Sequence, residues 1–218
     1  MARWLAMPAL MMLVVGSWAV AQEYRVEPTK EGPPAGELSA GIVEKLSPTG
    51  IKVMQGEKRT LCEIWPAKKW DVRSDFKPSD TILYPLSVGS LVGAIRFPRK
   101  AADFRGQDIA AGVYTLRYAN QPVDGNHVGT FPTRDFLLAL PAADDQSSAP
   151  MAEMDLFKTS AKTTESTHPA IMPLVKAEAA EPLPGIRHVE DQEWWTARFA
   201  DGDAKVVLEL IVVGKAAE

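Results

Sequence analysis

The chain has 218 residues, 24 Lys and Arg against 28 Asp and Glu, a formal net charge of −4, three His and one Cys. That length suffices for one domain with a sizeable core. Scattered basic residues and an acidic balance exclude a nucleic-acid partner, which needs a basic face, and a single Cys excludes an intramolecular disulfide, so the core must supply the stability.

The first element is an export signal. Arg3 is its only charge, Leu10-Met11-Met12-Leu13-Val14-Val15 is its apolar centre, and Ala19-Val20-Ala21 places small residues where a signal peptidase cuts. Cleavage is expected after Ala21. An uncleaved anchor is the rival, since Trp4 to Ala21 is uncharged; Pro8, Gly16 and the Ala-x-Ala ending favour cleavage. No Cys follows the small-residue site, so this is no lipoprotein signal. The expectation is a protein in the periplasm or outside the cell, with no membrane insertion after cleavage. Residues 22–36, rich in Pro, Gly and charge, read as a disordered spacer, and 37–218 as a single β domain.

Short β-prone runs then alternate with turn chemistry. Strands are expected at Leu38–Leu46, Ile51–Met54 and Arg59–Trp65, with turns at Pro48-Thr49-Gly50 and Gln55 to Lys58. Cys62 falls in the third, as a buried inert thiol. Residues 66–85 are irregular, anchored by Trp70, Phe76 and Tyr84. Further strands are expected at Leu91–Phe97, Val113–Tyr118, with Tyr114, Leu116 and Tyr118 on one face, and Phe136–Leu140.

Met151 to Lys162 is the one helix, with Met154, Phe157 and Ala161 as its core stripe. Ile171–Lys176 is a short strand that Pro173 restricts to an edge. Glu193–Ala200 and Lys205–Val213 form a hairpin across a tight Asp201-Gly202 turn, the second strand central because it is apolar on both faces except at Glu209. The whole predicts an all-β, mainly antiparallel sandwich of jelly-roll type with one short α-helix; a partly closed β-barrel is the alternative.

No nucleophile elbow, metalloprotease helix, phosphate loop or dinucleotide fingerprint is present, and no cofactor is expected. The densest polar stretch is Arg117 to Asp135, a long loop between two strands, the kind of place where a β scaffold carries binding groups. Arg117, Asp124, His127, Arg134 and Asp135 are its ligand-binding candidates. His127 and His168, with Asp124, are weak candidates for a metal or an acid–base pair. Trp194 and Trp195 are the second candidate pair: adjacent strand residues face opposite sides, so an exposed one would offer a ring for a sugar or peptide, with Trp65 and Trp70 as extensions.

The segment Gly106 to Arg117, with its Ala-Gly-Val-Tyr-Thr-Leu core, the later Gln121 to Thr130, and Arg134-Asp135-Phe136-Leu137-Leu138 resemble uncharacterised exported proteins of bacteria such as planctomycetes. The likeness spans residues 91–141 and implies a secreted β fold without a particular activity. The leading expectation is an exported, non-catalytic β protein that binds a glycan or a partner protein. A metal-dependent or acid–base enzyme centred on His127, His168 and Asp124 is the first alternative, and a structural envelope-associated protein the second.

Overall fold

The computed structural model describes residues 24–125, 127, 129–178, 182–203 and 205–216; the expected signal, 1–21, lies outside them. Among these residues there are twelve strands: β1 (Tyr24–Pro28), β2 (Ile51–Gln55), β3 (Arg59–Pro66), β4 (Leu91–Phe97), β5 (Ala101–Ala102), β6 (Asp108–Ile109), β7 (Gly112–Asn120), β8 (Asp135–Pro141), β9 (Ala170–Val175), β10 (Gly185–Val189), β11 (Trp194–Ala200) and β12 (Val207–Val213). Two short α-helices accompany them, α1 (Ala40–Lys45) and α2 (Glu153–Ala161), the latter running into a 3-10 turn at Lys162–Thr164.

The protein is mainly antiparallel β, as its alternating runs require. Ten strands form one sheet in the order β1-β2-β3-β4-β7-β8-β9-β12-β11-β10, every neighbouring pair antiparallel. The sheet curls until its two edges meet: the Tyr24 ring on β1 lies 5.0 Å from that of Trp195 on β11. Of the two expected architectures, this is the partly closed barrel rather than the sandwich. Closure removes most of the edge problem of a flat sheet.

The inward face carries the core, including Val53, Cys62, Ile95, Leu116, Leu137, Leu174, Phe199 and Leu210. Much of the outward face is covered too. Residues 142–151 and α2 lie over β7 and β8, with Leu156 against Leu138 and Leu140. That double cover explains why β4, β7 and β8 are buried almost without alternation. Buried carboxylates on β3 and β12 are paired. Glu63 meets Arg96 and Lys52, and Glu209 meets Arg187, Arg198 and Thr196.

Several expectations change. The stretch read as a disordered spacer contains β1, which pairs with β2 from Tyr24↔Gln55 to Pro28↔Ile51. Residues 38–46, read as a strand, hold α1. Ile42 within it and Leu38 and Leu46 on either side are buried, a four-residue spacing hidden inside an apparent two-residue one, and Ser39 caps the first turn by accepting from Ile42 N–H.

In α2 the buried stripe is Leu156 and Ser160, followed by Thr163 in the 3-10 turn, while Met154 is 83% exposed. Ser160 and Thr163 both donate to the Ala139 carbonyl, at 2.9 Å each, so polar residues occupy positions that an apolar periodicity cannot see. Strand β9 is flanked on both sides despite Pro173. It pairs with β8 through Pro173 itself, and meets β12 only beyond it, at Leu174 and Val175. The final hairpin forms, but Ala200↔Val207 is its last pair, so Asp201-Gly202 is not a two-residue tight turn. Gly202 N–H is instead drawn to the Lys68 carbonyl, 2.9 Å away.

Candidate functional site at the open end of the barrel

The eight sequence candidates do not converge. Arg117 is fully buried and all its donors are used within the protein. Nε and Nη2 reach the Asp145 carboxylate at 2.6 and 2.9 Å, Nη1 reaches the Gly89 and Ala149 carbonyls, and Nη2 also donates to Ser147. It fastens the 142–151 cover and has no hydrogen left for a ligand. Asp135 is likewise buried, accepting from Leu83 N–H, Tyr84 N–H and the Tyr118 hydroxyl. Burial pushes its carboxyl up, against the lowering effect of these hydrogen bonds. Arg134 Nε donates to the Gln121 carbonyl at 2.7 Å and closes the neck of its own loop.

Asp124 and His127 pair locally, Oδ1 to Nδ1 at 2.6 Å. His168 stands elsewhere. The loop of His127 enters β8 at Asp135, whereas His168 precedes Ala170, which pairs with Ala139 towards the far end of β8. Among the described residues no three His, Cys, Asp or Glu side chains gather where a metal ion could be held. The grouping of His127, His168 and Asp124 therefore does not form.

Trp194 and Trp195 are both half-buried, and each already has a ring against it. Phe131, from the 121–134 loop, stacks on Trp194 at 5.6 Å and 26°, with Phe104 edge-on at 5.5 Å. His188 stacks on Trp195 at 4.4 Å and 11°. Trp65 and Trp70 are buried in the core and cannot extend a platform. The loop and Trp194 do meet, but through Phe131, a residue the polar reading passed over.

The two ends of the barrel differ. Residues 67–90 fold over the end where β3 stops and β4 starts. Trp70 Nε1 donates to the Val92 carbonyl at 2.8 Å, and its ring meets Phe199 edge-on at 6.1 Å. The opposite end, where β2, β4 and β12 finish and β3 and β9 begin, opens into a cavity of about 510 Å³. Leu61, Phe97, Phe104, Met172, Ile211 and Val213 form its apolar wall. None of the eight sequence candidates lines it.

Local chemistry explains how the wall is held. Leu61 is the extra residue of a bulge, since Val53 pairs with Cys62 but Met54 with Thr60; bulges turn side chains at barrel rims. Phe104 is set by the Asp103 turn, whose carboxylate accepts from Arg105 N–H, Gln107 N–H, Gln107 Nε2 and Ile171 N–H. Cys62 lies in the wall, and burial, then the Glu63 charge, pushes its thiol well above the ordinary range. It is a packing residue and no nucleophile. At the mouth stand Arg59 and Lys215, both exposed, and Gln55, whose Nε2 donates to the Tyr24 hydroxyl at 2.8 Å.

Sequence reasoning missed these residues for a reason. They sit on several different strands or in the links beside them, and each apolar one alone reads as ordinary core. Only the curl of the sheet makes them one surface. Comparison with family models, with curated proteins and with solved structures gives no match.

Proposed function

We propose that this is an exported, non-catalytic binding protein whose ligand is a small molecule with an apolar body, held in the open end of the barrel. The observation that carries the reading is the cavity of about 510 Å³ with its apolar wall. Cavities of roughly 300–1,000 Å³, mostly apolar with a few polar groups, are the usual form of small-molecule sites. Barrel mouths are among their common places. Arg117 and Asp135, at the two ends of the loop expected to meet a glycan or a partner protein, are spent on the protein itself, which favours the barrel end over that loop. Among the described residues no helix is long and apolar enough to cross a membrane.

The test is thermal stability of the purified protein against small apolar and polar compounds, since a ligand that binds only the native state raises the melting temperature. Apolar-bodied compounds are expected to raise it and free sugars to leave it unchanged. Ala101→Trp, which puts an indole on the cavity wall from the short strand β5, should abolish the rise without lowering the unliganded Tm by more than a few degrees. If no apolar compound shifts Tm, or if Ala101→Trp leaves every shift in place, the reading is wrong.

A further inference from the structure

We infer that the ligand is an amphipathic anion, with its apolar body in the cavity and its acidic head at Arg59 and Lys215; this rests on the binding reading above. A molecule that enters an apolar cavity from one open side must leave its polar end at the mouth, because burying it unpaired is costly. The identity of that end follows from what the mouth offers. Four charged residues line the cavity: Arg59, Asp103, Glu193 and Lys215. Asp103 is 3% exposed and its two oxygens already accept four N–H groups, so it has no acceptor capacity for a ligand cation. The Glu193 side chain is 85% exposed and stands 3.6 Å from His188, on the side of the β10–β11 pair. Arg59 and Lys215 form no ion pair among the described residues. They come from opposite walls, Arg59 at the start of β3 and Lys215 just past β12. A chain of formal charge −4 thus offers two cations without an ion pair among the described residues at this apolar opening.

Gln55 adds a second, independent sign that the mouth awaits a polar group. It lines the cavity, and its Oε1 is buried without a hydrogen-bond partner. The Tyr24 hydroxyl at its other end both donates and accepts. Turning the amide by 180° keeps that bond and presents an N–H in place of the unpaired oxygen. The mouth then holds a guanidinium, an ammonium and an amide donor, the set that a carboxylate or sulfonate satisfies.

The experiment uses three probes of one chain length, laurate, dodecanol and dodecylamine, kept below their micellar concentrations. Each displaces the neutral fluorophore N-phenyl-1-naphthylamine from the purified protein. Laurate is expected to displace it at about a tenth of the dodecanol concentration, the size of one or two charge-assisted contacts at a partly exposed site, with dodecylamine weakest. Arg59→Ala with Lys215→Ala should bring laurate to the level of dodecanol and leave dodecanol unchanged; both residues are exposed, so folding is not at stake. Equal displacement by laurate and dodecanol in the unaltered protein would overturn the anion assignment while the cavity reading stood. Preference for dodecylamine would overturn it as well. If the fluorophore does not bind and no probe raises Tm, the cavity reading falls, and this inference with it.

Discussion

Asp145→Ala strips the buried Arg117 guanidinium of its counterion and measures how dry the outer face of the barrel is. Both side chains have no exposure to solvent. The carboxylate accepts three bonds, from Arg117 Nε and Nη2 and from the Thr115 hydroxyl at 2.6 Å. Removing one partner of a buried pair costs about 3–5 kcal/mol, because the remaining charge is left uncompensated. For a chain of this size each kcal/mol lowers Tm by roughly 2–4 °C, so the variant should melt about 6–20 °C lower. The Gly89, Ala149 and Ser147 carbonyls still face Arg117, which keeps the loss within that range. The double variant Arg117→Met with Asp145→Leu should lose less than Asp145→Ala alone, since no charge stays behind. Urea unfolding followed by far-UV circular dichroism, with m unchanged, gives both values. A loss below about 1 kcal/mol for Asp145→Ala, the range of exposed pairs, would refute the argument that 142–151 seals this face.

Two further outcomes follow from other buried groups. Burial pushes the Glu63 carboxyl up, but hydrogen bonds from Arg96 and Lys52 and their charges outweigh it and hold the group below its ordinary 4.5. A lowered folded pKa contributes stability above the unfolded value and loses it as pH falls through the folded one. Glu63→Gln should therefore shift the urea midpoint down at pH 7 and much less near pH 3; an equal shift at both would contradict the pairing. Cys62 is 1% exposed, so a disulfide reagent should leave it unmodified in native buffer and titrate one thiol in denaturant. Reaction at the rate of a free thiol in native buffer would show that the barrel wall is open there.

Local chemistry wrote much of the fold into the chain. β4 matches its apolar run from Leu91 to Phe97, the β2–β3 turn has its glycine at φ +57 in Gly56, and the alternation of Tyr114, Leu116 and Tyr118 is β7. These depend on neighbours two to four positions apart, which a sequence displays directly. Leu38–Leu46 fits both a strand and a helix, and Ser39 together with the burial of Leu38, Ile42 and Leu46 decides for the helix. The candidate site was much less legible. Arg117 and Asp135 stood out as polar residues beside a loop, yet each is a structural anchor, because the partners that consume them, Asp145 and the 83–84 backbone, come from distant segments. Alternation says that a side chain is buried on one face or the other. It does not say that the sheet will close, that residues 67–90 will cover one end, or that Leu61, Phe97, Met172 and Val213 will share a cavity at the other. Those facts are set by contacts between remote segments, so the sequence by itself determined the strands and most of their turns, while closure of the barrel alone decided which residues share the cavity at its open end.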